Sequence, residues 1–324
     1  MGIIRRLQHI LQVCCLLILI APPLQADEPR PVIGVSGSSE SSASVQFLLA
    51  QLYHHGAYPV LLDPKRIDSI EADMAKLDGV IIGGNSWDIN NADYGEKANP
   101  KTNNEDGLLG RAKGANRRAD YEYALLDEVF RRGDLPFLGI CSGMQRLNVH
   151  DFARDGGKLI QHVPGQLQWN PLYYNPLSAA DRIRVSPKSR LQSLVDAAEQ
   201  TTFGENSVHH QVVDPNYIRR GFIESARSAE FGTIEAIEPD PEGPYATLPI
   251  MAVQWHPEYG ISKTSRSLFQ DIVATARARM TTPASPEALD ALDRLSPEMR
   301  ETISRPDALE FLADKHGYAY DPAP

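Results

Sequence analysis

Between residues 31 and 140 the chain alternates short apolar runs with segments whose apolar residues recur at helical spacing. Short runs rich in β-branched side chains are typical of buried strands, and the amphipathic segments between them are typical of helices. Strands that alternate with helices favour a parallel sheet, because each helix carries the chain back across it. The predicted strands are Pro31–Ser36, Tyr58–Leu62, Gly79–Ile82 and Leu135–Ile140, and the predicted helices are Ala43–His55, Ile67–Leu77 and Arg117–Arg132.

The rest of the chain predicts a second set of elements and a tail. The elements are a helix at Gly143–Phe152, short strands at Arg182–Val185, Phe222–Ser225, Thr233–Ile237 and Ile250–Gln254, and a long helix at Ser262–Met280. Beyond Thr281, two short helical patterns with prolines predict a tail that wraps the surface. We therefore expect one α/β domain at 27–281, with a doubly wound, mostly parallel sheet, and a helical tail at 282–324.

A polar stretch from Asn85 to Asn116 interrupts the alternation. It is rich in Asn, Gly, Asp and Lys and has no apolar period. It directly follows a predicted strand, at the edge where open α/β sheets place their ligands. Loops this long in compact domains are usually functional or disordered. The composition is compatible with an active-site lid and with a disordered insertion.

The first 26 residues have the organisation of a secretory signal peptide. Arg5 and Arg6 precede an apolar run from Leu11 to Ala21, and Ala26 supplies the small residue at a cleavage position. The run is shorter than the ~20 residues that span a bilayer. This pattern predicts an exported protein, periplasmic or secreted, that is not attached to a membrane after cleavage.

Two alternatives for this segment remain open. One is a buried N-terminal helix, which the two arginines without an acidic residue disfavour. The other is a lipoprotein anchor at Cys14 or Cys15, although Val13 is bulkier than lipoprotein processing usually tolerates.

The charge balance limits the possible partners. Lys plus Arg number 32 and Asp plus Glu number 42, so the net charge is −10, and cleavage would make it −12 by removing two arginines. An acidic protein repels phosphate backbones, so we expect no nucleic-acid partner. No phosphate-binding glycine motif and no metal-ligand spacing occur, so we expect neither a nucleotide cofactor nor a metal. A homodimer is compatible with these features.

Cys141 is the only cysteine of the three that cleavage would leave in the chain. It stands in the sequence Gly139–Gly143, between an apolar strand and a helix. A strand that turns sharply into a helix raises one side chain above the sheet, and this turn needs small residues two positions before and after it. The helix N-terminus favours the thiolate. The thiol is either a nucleophile or a buried cysteine that acts as a small hydrophobic residue.

A nucleophile of this kind needs an oxyanion site, a base and a group that orients the base. The N–H of Ser142 and an N–H from Gly83-Gly84, at the end of a neighbouring strand, are candidate oxyanion donors. His256 and Glu258 follow a predicted strand, and residues i and i+2 of an extended segment face the same side. Glu258 is therefore expected to orient His256 toward Cys141; the alternative is a salt link in a surface loop.

These motifs resemble a known family. GICSGMQ at 139–145 and VQWHPE at 253–258 are similar to the two signatures of class I glutamine amidotransferase-like proteins, especially the γ-glutamyl hydrolase and γ-glutamyl-γ-aminobutyrate hydrolase branch. Supporting matches lie at 83–84, 116–120 and 206–211, and the resemblance extends over about Val32 to Ala276. It differs at Ser142, where relatives often carry arginine, and at the long stretch Asn148–Gly157.

The resemblance implies a fold, a site and an activity. It implies a flavodoxin-like fold, the triad Cys141, His256 and Glu258, oxyanion donors at Gly84 and Ser142, and a glutamyl pocket lined by Gln145, His209 and His210. The favoured activity is hydrolysis of the γ-glutamyl amide bond of a small γ-glutamyl compound through a thioester. The alternatives are a glutaminase subunit that passes ammonia to a synthetase and an inactive ligand-binding relative.

The location of the protein gives the first testable prediction. If residues 1–26 are a cleaved signal, mass spectrometry of the exported protein will find its N-terminus at or within a few residues of Asp27. An intact Met1, or a lipid mass on Cys14 or Cys15, would contradict the cleaved signal.

Overall fold

The computed structural model describes residues 29–97, 99, 101–164, 177, 179–195, 201–281, 289, 290 and 292–319. The predicted signal peptide lies outside these residues, as does Asp27. From Pro31 onward the described residues belong to one compact unit. None of the helices in the described part of the chain is long and apolar enough to cross a membrane.

Strands and helices alternate along the chain as the sequence predicts. The strands are β1 (Val32–Ser36), β2 (Tyr58–Leu61), β3 (Gly79–Ile82), β4 (Phe137–Ile140), β5 (Leu159–Ile160), β6 (Asp181–Val185), β7 (Thr202–Glu205), β8 (Val212–Val213), β9 (Phe222–Ser228), β10 (Ile234–Pro239) and β11 (Ile250–Val253). The α-helices are α1 (Ala43–His54), α2 (Ile70–Met74), α3 (Leu108–Ala112), α4 (Ala115–Arg132), α5 (Ser142–Val149), α6 (Arg190–Leu194), α7 (Lys263–Arg279), α8 (Pro297–Ser304) and α9 (Ala308–His316). Short 3-10 helices cover Pro64–Ser69, Asn91–Tyr94 and Pro257–Tyr259.

Nine of these strands form one sheet in the order β2-β1-β3-β4-β11-β10-β9-β6-β7. The pairs from β2 to β11 are parallel, and the pairs from β11 to β7 are antiparallel. Strands β5 and β8 form a separate antiparallel pair. The structure confirms the α/β class and the parallel sheet, and it adds an antiparallel extension built from the later strands.

The sheet has a hydrophobic core on each face, because successive strand residues point to opposite sides. Leu138 and Ile140 of β4 lie in the core beneath α1 and α7, whereas Phe137 lies in the other core with residues of α4 and α5. All four residues of β4 are buried. A central strand covered on both faces accounts for the continuous apolar run that the sequence shows at this point.

The stretch from Asn85 to Asn116 is folded rather than a structureless loop. It contains the 3-10 helix Asn91–Tyr94, the short helix α3 and the start of α4. Asp88 makes two hydrogen bonds that hold this segment together. Its carboxylate accepts a hydrogen bond from the N–H of Asn103 at 2.6 Å, and its backbone carbonyl oxygen accepts one from the N–H of Glu105 at 3.0 Å. Local hydrogen bonds of this kind leave no apolar period in the sequence.

The described part of the C-terminal tail packs on helix α1. Met299 and Ile303 of α8, together with Leu312 and Ala313 of α9, are buried in the same core as α1. The two helical patterns predicted beyond Thr281 correspond to α8 and α9.

Candidate active site

Cys141 lies at a sharp turn between the central strand β4 and helix α5. Its backbone has φ 54° and ψ −108°, a conformation that residues with a Cβ atom rarely adopt. The residue follows β4 at the edge where β3 and β11 also end, and its side chain is 5% exposed. This is the geometry that the elbow interpretation of the sequence requires.

Two glycines permit this turn. A Cβ atom on Gly139 would lie 2.9 Å from the backbone of Gly143, and a Cβ atom on Gly143 would lie 2.1 Å from the carbonyl oxygen of Ile82. Both distances are shorter than real Cβ contacts, and the obstructing atoms belong to the backbone. A side chain at either position would therefore push α5 away from the ends of β3 and β4.

His256 is held through its backbone just beyond strand β11. Its N–H donates to Oδ1 of Asn206, and Nδ2 of Asn206 donates to its carbonyl oxygen, each at 2.9 Å. The chain then enters the 3-10 helix Pro257–Tyr259, which brings Glu258 to the imidazole. The sequence predicted this contact from an extended segment. That route is wrong, because the turn that begins at Pro257 aligns the two side chains.

Glu258 is fully buried and binds the imidazole directly. Its Oε1 lies 2.7 Å from Nδ1 of His256 and accepts from the hydroxyl of Ser44 at 2.5 Å. Nε2 of Gln51 donates to the carbonyl oxygen of Glu258 at 3.1 Å. Helix α1 therefore fixes the position of this carboxylate. Because Nδ1 of His256 faces Glu258, Nε2 is the ring nitrogen left for the thiol.

Cys141 and His256 line the same cleft, and the side chain of Cys141 lies close enough to affect the pKa of His256. Burial lowers the pKa of His256, but the negative charges of Glu258 and Cys141 raise it, and the resulting pKa is well above the ordinary value. The raised pKa favours the protonated imidazole, which is the form that can give a proton to a leaving group.

The two predicted oxyanion donors lie at the same end of the sheet as the thiol. Ser142 is the first residue of α5, so its N–H is one of those that an α-helix leaves unpaired at its start. Gly84 lies against the imidazole, because a Cβ atom there would be 2.4 Å from Cε1 of His256. The Ser142 hydroxyl donates to the carbonyl oxygen of Gly83 at 3.2 Å.

A buried network of charges holds the Gly83–Gly84 segment in place. Arg118 donates to the carbonyl oxygens of this segment at 2.9 and 3.1 Å and to Glu122 at 2.6 Å. Glu122 also accepts from Arg146, which bonds Glu105 on its other side, each at 2.8 Å. This network was not predicted from the sequence, although the spacing of Arg118 and Glu122 by four residues on a helix indicates an ion pair.

A cleft of about 770 Å³ opens above the thiol. Its lining includes six of the eight residues predicted for the site, namely Cys141, His256, Gly84, Gln145, His209 and His210. Glu258 and Ser142 lie behind this surface, 0% and 1% exposed. The structure thus brings the predicted site residues together in one place.

The three residues predicted to line a glutamyl pocket already have protein contacts. Nε2 of Gln145 donates to the carbonyl oxygen of Gln211 at 2.6 Å. Nε2 of His209 lies 3.6 Å from a Glu235 carboxylate oxygen. His210 lies 3.2 Å from a carboxylate oxygen of Asp88. Each side chain is therefore fixed in orientation at the wall of the cleft.

Other residues of the cleft lining lie outside the predicted site residues, although an active-site lid was one of the two interpretations of the stretch at 85–116. Trp87, Asp88 and Lys101 come from the stretch at 85–116, and Tyr318 comes from the C-terminal tail. The long stretch Asn148–Gly157, where the chain departs from the family pattern, is not among the described lining residues. It packs instead on a neighbouring segment, since Oδ1 of Asn148 accepts from the N–H of Arg219 at 2.8 Å.

No cluster of three acidic, histidine or cysteine side chains suited to a metal ion is found among the described residues. The groups gathered around the thiol are the imidazole of His256, which lines the same cleft, and the carboxylate of Glu258, which binds the other side of that imidazole. Such an arrangement performs nucleophilic acyl transfer, in which the thiolate attacks a carbonyl carbon and the imidazolium protonates the leaving group.

Comparison with known protein families identifies the family of this chain. The family model of Peptidase C26 matches residues 31–258. The chain belongs to the Peptidase C26 family. Its match ends at Glu258, so the whole predicted triad lies inside it, whereas α7 and the C-terminal tail lie outside it.

Curated relatives of this Peptidase C26 protein carry related names. A glutamine amidotransferase-like protein of Rickettsia prowazekii is 29% identical over 246 residues, which cover 63% of this chain and 78% of the relative. A glutamine amidotransferase-like protein of Lactococcus lactis is 27% identical over 202 residues, covering 61% of this chain and 73% of the relative. These matches confirm the resemblance to glutamine amidotransferase-like proteins, whereas the γ-glutamyl hydrolase branch stays a prediction.

A solved structure supports the fold of this family member. The crystal structure of a proposed GMP synthase subunit from Thermoplasma acidophilum superposes with a TM-score of 0.51 at 16% identity, covering 78% of this chain and 96% of that one. At this identity the likeness shows the fold alone, which is the predicted flavodoxin-like α/β fold.

The charge on His256 gives a testable prediction. Replacing Glu258→Gln removes the negative charge that raises the pKa of His256, so less imidazolium is present at neutral pH to stabilise the thiolate. Alkylation of Cys141 by iodoacetamide at pH 7 should then slow by roughly tenfold, the equivalent of one pKa unit. The rates of the variant and the parent should converge at high pH, where the thiol ionises without help.

Glu224→Gln provides a matched control, because Glu224 pairs with Arg227 on β9 and does not line the cleft. It should leave the alkylation profile unchanged. An unchanged profile in Glu258→Gln, with the protein folded, would show that Glu258 does not sustain the charge on His256.

Proposed function

We propose that the protein hydrolyses the amide bond of a γ-glutamyl compound through a thioester on Cys141. The observation that carries this proposal is that Cys141 and His256 line one open cleft while the buried carboxylate of Glu258 binds the imidazole from behind. Membership of Peptidase C26 supports a hydrolase, and the names of the relatives support glutamine or a related γ-glutamyl amide as the substrate.

The first half of the proposed reaction forms the thioester. The thiolate of Cys141 attacks the γ-carbonyl carbon, and the carbonyl oxygen becomes an oxyanion that accepts from the N–H groups of Ser142 and Gly84. His256 gives its proton to the amide nitrogen, the C–N bond breaks and the amine leaves. The glutamyl group is then bound to sulfur.

The second half releases the acid. Neutral His256 takes a proton from water, and the resulting hydroxide attacks the thioester carbon. The C–S bond breaks, glutamate leaves, and the thiolate and the imidazolium are restored. Glu258 keeps Nδ1 protonated throughout, so that Nε2 accepts and returns the proton.

The cleft has charges suited to the glutamyl part of the substrate. A free glutamyl group carries an α-carboxylate and an α-ammonium group. Lys101, His209 and His210 supply donors, and Asp88 supplies an acceptor, in the lining of the same cleft. We assign the glutamyl pocket to Gln145, His209 and His210, as the resemblance implies.

A glutaminase subunit is the second candidate, and the names of the relatives favour it. It would use the same chemistry on glutamine but would pass the ammonia to a synthetase. The predicted export of the chain argues for a stand-alone hydrolase, because a synthetase that consumes ATP works in the cytoplasm. Glutamine turnover that appears only after a synthetase is added would establish the second candidate.

Substitution of the three triad residues tests the proposed function. Cys141→Ala and Cys141→Ser should abolish turnover of a γ-glutamyl anilide. Glu258→Gln should reduce turnover by roughly ten- to a thousandfold, less than the ~10⁴ that loss of the orienter costs a serine triad, because a thiol is more acidic than a hydroxyl. His256→Ala should reduce turnover more than Glu258→Gln does, because the leaving amine then has no proton donor.

Thermal melts of each variant, with Glu224→Gln as the control, separate chemistry from folding. Activity retained in Cys141→Ala would exclude the mechanism. A folded parent protein that binds γ-glutamyl compounds but turns none over would identify the inactive ligand-binding relative.

A further inference from the structure

The C-terminal tail reaches the cleft although it lies outside the Peptidase C26 match. The match ends at Glu258, and Tyr318 is 60 residues further along the chain, yet Tyr318 is one of the residues that line the cleft. We propose that Tyr318 forms an aromatic wall for the leaving-group part of the substrate. This inference rests on the proposed function, because it assigns one side of the cleft to the departing amine.

The tail is anchored firmly enough to position a side chain. Helices α8 and α9 bury apolar residues against α1. Two polar contacts add to this packing: the N–H of Ser296 donates to Oε2 of Glu40 at 2.8 Å, and Nε2 of His316 lies 2.9 Å from Oε1 of Gln46. The tail is therefore fixed at the start of α8, and again at the end of α9.

A reversal of the chain after α9 directs Tyr318 toward the cleft. Gly317 has φ 72°, the left-handed conformation that ends many helices and that glycine adopts without strain. The N–H of Tyr318 then donates to the carbonyl oxygen of Ala313 at 2.8 Å, and its ring stacks on His316 with centroids 5.9 Å apart. Both contacts fix where the ring can lie.

The ring of Tyr318 extends an aromatic surface that begins at the predicted base. The ring centroids of His256 and Tyr259 are 6.0 Å apart, and Tyr259 meets Tyr318 edge to face, with centroids 6.3 Å apart and an interplanar angle of 89°. Phe47 of α1 packs against both tyrosines. The surface thus runs outward from His256 along one side of the cleft.

That side is where the leaving amine must lie. In the proposed reaction His256 gives its proton to the amine, so the amine nitrogen is within hydrogen-bond reach of His256 when the C–N bond breaks. A substituent on that nitrogen then extends toward Tyr259 and Tyr318. An aromatic wall stabilises apolar or aromatic substituents by direct contact, whereas ammonia has no substituent to make that contact. The substrate class that fits is a γ-glutamyl amide with an apolar or aromatic amine.

Two substrates and three variants test this assignment. Tyr318→Ala should raise KM for γ-glutamyl anilide by roughly three- to tenfold, the range of a lost aromatic contact, and should leave KM for glutamine unchanged. Tyr318→Phe should behave as the parent with both substrates. Phe311→Ala is the matched control, since Phe311 lies on α9, is 36% exposed and does not line the cleft.

A second readout does not depend on turnover. In the parent, 2-iodo-N-phenylacetamide should alkylate Cys141 faster, relative to iodoacetamide, than it alkylates a free thiol, because Tyr318 binds its ring. Tyr318→Ala should remove that preference, and Phe311→Ala should keep it.

The combined results separate the two proposals. If the parent hydrolyses neither substrate but the alkylation preference depends on Tyr318, the proposed function is excluded and the aromatic wall is supported. If Tyr318→Ala leaves both KM values unchanged, or changes both equally, the wall is excluded and Tyr318 is at most structural. Tyr318→Phe with the same defect as Tyr318→Ala would assign the effect to the hydroxyl and would also exclude the wall.

Discussion

The close approach of helix α5 to the ends of strands β3 and β4 is the constraint on which the site depends. Cys141 adopts its strained backbone because Gly143 lies directly against the carbonyl of Ile82 and Gly139 against Gly143. A residue in such a conformation is destabilised by of order 1–3 kcal/mol, which the surrounding packing must offset. The buried strand β4 and the two cores that cover it supply that packing, so the rigid centre of the fold fixes the reactive atom.

A second constraint is the burial of charge next to this turn. Arg118, Glu122, Arg146 and Glu105 lie almost completely out of water, and each acidic group has a guanidinium partner. Removing one partner from such a network leaves a charge unpaired, which typically destabilises a protein by about 3–5 kcal/mol. The network joins α4, α5 and the stretch at 85–116 to the peptide groups of Gly83–Gly84. The wall of the cleft and the proposed oxyanion site are thereby held by the same contacts.

The sequence predicted the parts of the fold that rest on local patterns. The strand that leads into Cys141, β4, and its neighbours in the sheet, β3 and β11, are continuous apolar runs. The glycines at 139 and 143 are explained by one steric requirement, the close approach of α5 to the strand ends. Both features could therefore be inferred from the sequence. The folded structure of the stretch at 85–116 could not be inferred, because it is held by hydrogen bonds of side chains such as Asp88. Such contacts leave no apolar period in the sequence. The contact of Tyr318 with the cleft depends on where α8 and α9 dock, which no local pattern specifies.

In the proposed reaction Cys141 carries the glutamyl group during turnover. The most direct measurement is mass spectrometry of the protein after acid quenching in the first turnovers with γ-glutamyl anilide. We expect one glutamyl group on the peptide that contains Cys141, formed at the rate at which aniline is released and absent in Cys141→Ser. Release of aniline while Cys141 stays unmodified, or a glutamyl group on any other residue, would contradict the proposed reaction.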